Sequence, residues 1–362
     1  MTADPLLRAL RDPASMTALT GADWTGLMQR ARPRALLGKL AQGAADAGVT
    51  DALPAAVRRQ FASAGRLCAY NDEHLKAEAF LVLHALRDAG SPVLFLKGAA
   101  YALLGLKLAR GRVSSDIDVL VPRERLPAVE LALDAAGWAG MKLDPYDQRY
   151  YREWMHELPP LQHRYRATVM DVHHTILPLT GRITPDAGAL LRDALPVAVM
   201  GRTALVPRPD DMVIHAALHL FQDGDLAERL RDLLDLHELA AEFAAADAGF
   251  WNGLAERARL HQAGRPLFYA FHFARRLLGT PVPEEFLRTL SPRPAALALA
   301  VMDTLVPAAL LPSHPDRVST GAALARRMLF IRSHWLRMPP FLLARHLAIK
   351  GWGAVKGRLG FA

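Results

Sequence analysis

Two aspartates lie one residue apart in the stretch GRVSSDIDVLVP, residues 111–122, which otherwise has the apolar pattern of a buried strand. Side chains alternate between the two faces of a strand, so Asp116 and Asp118 share one face while Ile117 and Val119 supply the core. Two carboxylates on one strand face repel each other and are costly to bury unless a cation neutralises them. The pair therefore predicts a divalent-cation site, and a strand edge with two solvated acids is the alternative.

A third candidate acid, Asp171, lies in RATVMDVHHTI, residues 166–176, again in a β-strand pattern. Alternation places His173 on the same face as Asp171 and His174 on the opposite face. Carboxylates from neighbouring strands that share two metal ions are the arrangement that phosphoryl and nucleotidyl transfer require. Asp116, Asp118 and Asp171 are therefore candidates for sharing divalent metal ions.

A phosphate-binding turn is predicted upstream of these acids. The short apolar strand PVLFLKG, residues 92–98, ends where a helix begins. A glycine at such a turn lets backbone amides approach a phosphate, the start of the helix favours negative charge, and a lysine adds a positive charge. Ser114 and Ser115, just before the acids, could also contact phosphate or could merely begin the strand. Arg112 could contact phosphate or lie in a solvated loop. The predicted nucleotide-binding residues are Lys97, Gly98, Arg112, Ser114 and Ser115.

Two histidines, His215 and His219, lie one helical turn apart in IHAALHL. They could share a metal, but no glutamate accompanies them as in zinc peptidases, and packing is the more favoured interpretation. We take His215 and His219, together with His173 beside the third acid, as candidates for lining an acceptor pocket.

The periodicity of apolar residues predicts an α+β fold with a small mixed β-sheet core. Residues 1–67 are expected to form a helical N-terminal cap, residues 68–206 the core, and residues 207–362 a mostly helical C-terminal half. Within the core, residues 141–176 have a mostly β pattern.

Composition limits the class of protein. The chain has 362 residues, of which 51% are hydrophobic, and one cysteine, Cys68, which excludes a disulfide framework and favours a reducing compartment. Neither a signal peptide nor a continuous apolar stretch long enough to span a membrane is evident, so we expect a cytoplasmic protein.

The net charge of +8 invites a nucleic-acid partner, but aromatic residues make up only 7% and no stacking motif interleaves them with basic residues. Nucleic acid is therefore a less favoured partner than a nucleotide. The basic C-terminal tail, residues 326–362, carries Trp335, Phe341 and Trp352. It predicts either weak contact with an anionic membrane surface or, as the more favoured alternative, a terminal helix packed on the body.

The spacing of these motifs resembles a known family. Lys97-Gly98 lies eighteen residues before Asp116-Ile117-Asp118, and Asp171-Val172-His173 matches a third-acid strand. This pattern, over about residues 70–245, resembles the bacterial uncharacterised nucleotidyltransferases of the DNA polymerase beta-type superfamily. The resemblance implies a metal-dependent nucleotidyltransferase that moves a nucleoside monophosphate from an NTP, by default ATP, to a hydroxyl-bearing acceptor. The acceptor would be a small molecule, a natural product or a protein.

The resemblance also implies a role for each acid. Asp116 and Asp118 would bind both Mg²⁺ ions, and Asp171 would hold the catalytic ion and help to deprotonate the acceptor. One departure is Ala99, which stands where many active relatives have serine. That departure keeps an alternative open, in which the chain is a non-catalytic nucleotide-binding or interaction protein that retains the fold.

Overall fold

The computed structural model describes residues 4–141, 144–223, 225–314, 316, 319–347 and 349. The N-terminal helices are α1 Pro5–Arg11, α2 Gly21–Ala31, α3 Leu37–Asp46 and α4 Ala55–Ala85. The core helices are α5 Lys97–Leu103, α6 Leu126–Ala135, α7 Pro145–Trp154 and α8 Ala187–Arg192. The strands are β1 Leu94–Phe95, β2 Asp116–Leu120, β3 Trp138–Gly140, β4 Leu161–His163, β5 Val169–His173, β6 Leu195–Val199 and β7 Arg202–Val206.

The C-terminal part is helical, as predicted. Its α-helices are α9 Pro209–Leu218, α10 Leu230–Ala246, α11 Phe250–Leu260, α12 Gly264–Leu278, α13 Glu284–Thr289, α14 Ala296–Leu310 and α15 Thr320–Arg337, and a π-helical turn, His219–Asp223, follows α9. Short 3₁₀ turns occur at Pro13–Ala18, Arg32–Arg34, Thr50–Ala52, Arg87–Ala89, Lys107–Gly111 and Arg123–Arg125.

The strands form one mixed sheet in the order β3-β4-β5-β2-β1-β7-β6. The β2–β5 and β1–β7 pairs are parallel, and the other neighbouring pairs are antiparallel. Ile117 and Val119 of β2 are completely buried, because one face of this strand packs into the hydrophobic core. The predicted α+β class with a small mixed sheet is confirmed.

The N-terminal helices are joined tightly to the core. Helix α4 runs through the proposed boundary between residues 67 and 68 and packs against α3 and α5. Gly38 of α3 meets Gly111 so closely that a Cβ on Gly38 would lie 2.6 Å from the Gly111 carbonyl oxygen. The division of the chain at residues 67 and 206 stays a prediction.

One helix, α7, differs from the sequence prediction, and one hairpin, β6–β7, was not predicted specifically. Helix α7 interrupts the mostly β pattern expected for residues 141–176, because Asp144 accepts a hydrogen bond from the backbone N–H of Asp147 and Pro145 occupies the first helical turn. Strands β6 and β7 form a hairpin whose turn residues, Met200 and Gly201, both have positive φ. A turn with two positive φ values matches the twist of a hairpin.

Helix α9 connects the helical half to the sheet, because it packs against α5 as well as against α10, α11 and α12. A buried ion pair anchors it. Asp211 of α9 accepts hydrogen bonds of 2.9 and 2.6 Å from the Arg257 guanidinium, and His261 Nε2 lies 3.1 Å from the same carboxylate. This contact fixes α9 and hence the π-helical turn that follows it.

Within the described part of the chain, none of the helices combines the length and the apolar character that crossing a bilayer requires. In the C-terminal tail, Trp335 is 47% exposed and Phe341 is 83% exposed, whereas Trp352 lies outside the described residues. Membrane-surface contact through this tail and a cytoplasmic location stay predictions.

Candidate active site

A cavity of about 420 Å³ opens where α5 begins beside β2 and β5. The volume falls within the range of small-molecule sites. The predicted acids Asp116, Asp118 and Asp171 all line it, and so do the five predicted nucleotide-binding residues, Lys97, Gly98, Arg112, Ser114 and Ser115. The structure thus brings together eight residues that were predicted to act on one substrate.

The register of β2 and β5 brings the acids together. In this parallel pair Asp118 lies directly opposite Asp171, and Asp116 lies opposite Val169. Side chains at paired positions of neighbouring strands share a face, so the three carboxylates of this aspartate cluster lie on the same side of the sheet. The prediction that these acids bind metal is not tested by this placement, but the placement meets its geometric requirement.

Asp118 is buried and already has two hydrogen-bond partners. Its Oδ1 lies 2.8 Å from Lys97 Nζ and 3.0 Å from His173 Nε2, and its side chain is only 4% exposed. Burial would raise the pKa of the Asp118 carboxyl, but Lys97 and His173 outweigh burial and hold that pKa well below its usual range. Asp118 is therefore ionised near neutral pH.

Asp171 has the opposite environment. Its Oδ1 is buried and has no hydrogen-bond partner among the described residues. Burial, reinforced by the charge of Asp118, raises the pKa of Asp171 to about 6. A buried carboxylate oxygen without a partner is rare in folded proteins and requires an explanation such as an absent ion.

Lys97 begins α5 in a left-handed backbone conformation, with φ of 44°. Such a conformation is costly for a residue with a side chain, and it persists at functional sites where the surroundings enforce it. It aims Nζ at Asp118, and although burial would lower the pKa of Lys97, the charge of Asp118 raises it. Lys97 therefore stays protonated at the floor of the cavity.

Gly98 is needed for the packing of the cavity wall. A Cβ at this position would lie 1.9 Å from Ser114 Oγ and 2.4 Å from Arg112 Nη1. Arg112 in turn hydrogen-bonds Ser114 and donates from Nε to Asp235 Oδ2 at 2.8 Å. A role of Gly98 in phosphate binding stays a prediction, and a Cβ at this position would require the Ser114 and Arg112 side chains to move.

The predicted acceptor-pocket histidines occupy three different positions. His219 lines the cavity at the start of the π-helical turn, and its Nε2 lies 2.7 Å from Arg229 Nη2. His215 and His173 are buried and do not line the cavity. Burial and the charge of Lys97 hold the pKa values of His215 and His219 well below their usual range, so both are neutral near pH 7.

Sequence reasoning missed Asn71, His156 and Glu157. The Asn71 side chain holds Ser114 at both backbone polar groups, at 2.8 Å each. Glu157 lines the cavity, and burial raises its pKa to about 7. The available signal was the adjacent pair His156-Glu157, which lies within residues 141–176, a stretch that we predicted only to be mostly β.

A comparison with models of protein families matches residues 20–279, more than half of the chain, to a family described as "Uncharacterised nucleotidyltransferase". The chain belongs to this family. The membership supports a nucleotidyltransferase activity in general terms, whereas the relation to a bacterial branch and to the DNA polymerase beta-type superfamily stays a prediction. A search among curated proteins found no match.

The nucleotidyltransferase match extends beyond the region that the sequence motifs indicated. It starts at the N-cap of α2 and ends at Gly279, which caps α12, so it includes the sheet and the helices α9 to α12. The residues of the helical half that line the cavity, among them His219, Arg229 and Asp235, therefore fall within the family unit.

Proposed function

We propose that this chain is a divalent-metal-dependent nucleotidyltransferase that moves a nucleoside monophosphate from an NTP to the hydroxyl group of an acceptor. The observation that supports the proposal best is the buried Oδ1 of Asp171, which has no hydrogen-bond partner among the residues that the structure describes. It lies beside two further carboxylates, Asp116 and Asp118, in a cavity that also contains Lys97 and Arg112. Carboxylates and cationic side chains that line the same cavity suit a substrate that is a metal–triphosphate complex.

The residues of the aspartate cluster fit Mg²⁺, a hard cation that prefers carboxylate oxygens. We assign Asp116, Asp118 and Asp171 as the residues that would hold two such ions. When bound, the ions would supply positive charge to the phosphoryl group that is transferred.

The remaining roles follow from the contacts of each residue. Lys97 is part of the predicted phosphate turn and Arg112 lies beside Gly98, so we assign both to the negative charge of the triphosphate. Asp118 Oδ1 is occupied by Lys97 and His173, whereas Asp171 Oδ1 has no partner among the described residues. We therefore assign Asp171, rather than Asp118, to accept the proton of the acceptor hydroxyl.

ATP is the proposed donor because it is the most abundant NTP. For the acceptor, we propose a hydroxyl-bearing small molecule, a natural product or a protein side chain. The basic residues Arg229 and Arg231, which also line the cavity, are accompanied by Asp232 and Asp235. Their mixed charge differs from the uninterrupted basic surface that nucleic-acid backbones require, so nucleic acid is a less favoured acceptor.

A second candidate is a nucleotide-binding protein without transfer activity. The observation that favours it is the pairing of Asp118 with Lys97 and His173, which supplies a cationic partner without any metal. Ala99, which is buried in α5, adds to this alternative because it offers no hydroxyl to a phosphate.

The test is calorimetric titration with each NTP in the presence and absence of Mg²⁺, followed by incubation with labelled NTP and cell extract. We expect wild type to bind one NTP only with Mg²⁺ and to label an acceptor. Asp171→Asn should lose both, while the matched control Asp134→Asn, at a residue 66% exposed on α6, should retain both. NTP binding that requires Mg²⁺ but labels no acceptor would favour the second candidate. NTP binding that is equally strong with and without Mg²⁺ would contradict the proposal.

A further inference from the structure

A second group of potential metal ligands lies next to the aspartate cluster, since His173 contacts Asp118. His156, Glu157 and His173 each offer one ligand atom, and these atoms all lie within 4.8 Å of one another. We refer to these three residues as the histidine–glutamate cluster. Two imidazoles and one carboxylate favour transition metals such as Zn²⁺, whereas the three carboxylates of the aspartate cluster favour Mg²⁺.

Two of the three ligand separations are close to those around a tetrahedral ion. With Zn–N and Zn–O bonds of about 2.0–2.2 Å, two ligand atoms at a tetrahedral angle lie roughly 3.3–3.5 Å apart. Glu157 Oε2 lies 3.4 Å from His173 Nδ1 and 3.6 Å from His156 Nε2. Both separations need only a small adjustment to place an ion between the three side chains.

His173 supplies an independent observation. Its side chain is 1% exposed, and its Nδ1 makes no hydrogen bond with any residue that the structure describes. Its other ring nitrogen, Nε2, lies 3.0 Å from Asp118 Oδ1. A histidine that binds a metal through one nitrogen and a carboxylate through the other is the usual outer-sphere arrangement of metal sites.

The backbone holds the three ligands in place. The N–H of His174 donates to the His156 carbonyl at 2.9 Å, and the N–H of Leu158 donates to the Val172 carbonyl at 2.9 Å. Glu157 and His173 form a β-bridge between these two hydrogen bonds. The cluster is thus preorganised by main-chain pairing, which reduces the entropy lost when an ion binds.

We propose that His156, Glu157 and His173 form a separate site for one Zn²⁺ ion, distinct from the Mg²⁺ sites of the aspartate cluster. An ion on His173 Nδ1 leaves Nε2 protonated, so this nitrogen donates to Asp118 Oδ1 and fixes the orientation of that carboxylate. The same ion ties residues 156–157 to β5. The site goes beyond the proposed function, because it requires neither nucleotide nor transfer.

The test uses the full chain stripped with EDTA and dialysed against Zn²⁺ in excess Mg²⁺. We expect one tightly bound Zn²⁺ per chain, and Co²⁺ in its place should give the intense visible absorption of a tetrahedral site. Glu157→Gln and His156→Ala should each weaken Zn²⁺ binding by at least about tenfold. The controls Asp116→Asn, in the aspartate cluster, and His174→Ala, next to the cluster in sequence, should leave Zn²⁺ affinity unchanged.

Three results would overturn the site. They are no Zn²⁺ binding by folded wild type, equal Zn²⁺ affinity in wild type and Glu157→Gln, or an affinity loss confined to Asp116→Asn. Circular dichroism establishes that each variant is folded, and Glu157→Gln, which keeps the shape of the side chain, decides the question if His156→Ala does not fold. Because Zn²⁺ binding is measured without NTP, its failure leaves the result for Mg²⁺ and NTP untouched.

Discussion

Replacing Lys97 by methionine separates the charge of this residue from its shape. Methionine has nearly the same length, and it adds no branching at a position that already has positive φ. The substitution leaves the Asp118 carboxylate, 4% exposed, with His173 as its one remaining partner among the contacts described above. Breaking a buried ion pair by removing one partner costs about 3–5 kcal/mol. Because His173 still contacts the same oxygen, we expect a loss of about 3 kcal/mol, the lower end of that range.

A double-mutant cycle distinguishes this explanation from a loss of packing. Adding Asp118→Asn to Lys97→Met removes the uncompensated charge, so most of the lost stability should return. Mg²⁺ should also stabilise Lys97→Met more than wild type, because a divalent ion replaces the missing cation at the carboxylates.

Urea unfolding measured first in EDTA and then in Mg²⁺ gives these differences. Lys107→Met, at an exposed lysine, is the matched control and should change the free energy of unfolding by less than about 0.5 kcal/mol. The reasoning would be refuted by a Lys97→Met chain as stable as wild type, or by a double variant that is less stable than Lys97→Met.

Two further predictions concern the supports of the site. Burial would raise the pKa of Asp211, but His261 and Arg257 hold it below its ordinary value of 3.8. The stability that this network contributes is therefore present above pH 3.8 and is lost as the pH falls through the lower pKa of the folded state. Asp211→Asn should remove this acid dependence. Urea unfolding midpoints measured between pH 2 and 6 check both expectations. Gly98→Ala should destabilise the chain by about 1–3 kcal/mol in thermal unfolding, because its Cβ would overlap the Ser114 side chain, and adding Ser114→Gly should restore much of the loss. If the Gly98→Ala chain is as stable as wild type, the neighbouring side chains move aside without a cost in stability, and the prediction is wrong.

The parts of the site that follow a local pattern could be predicted from the sequence. Alternation along β2 placed Asp116 and Asp118 on one face, and the same rule placed Asp171 and His173 together on β5. The class of fold followed from the change between strand and helix periodicity. The meeting of the acids required β2 and β5 to be neighbours in register, and sequence could only propose that pairing through family resemblance.

Other features depend on tertiary structure or had only a weak local signal. Asn71 lies in a long helix 43 residues before Ser114, yet its amide fixes that residue's backbone. The pairing of Lys97 with Asp118 was not predicted, because Lys97 had been assigned to phosphate and Asp118 to metal ions. Helix α7 was missed because the β character of its neighbours outweighed a capping signal, Asp144-Pro145, at its start.

The central claim is tested most directly by finding which phosphorus atom of ATP, α or γ, the wild-type chain transfers to an acceptor. ATP labelled at the α-phosphorus and ATP labelled at the γ-phosphorus are incubated separately with the chain, Mg²⁺ and cell extract. The account predicts that only the α-label enters an acceptor, that EDTA abolishes the transfer, and that the Asp116→Asn, Asp118→Asn double variant does not transfer it. Entry of the γ-label instead, or α-label transfer that persists in the double variant, would contradict the account.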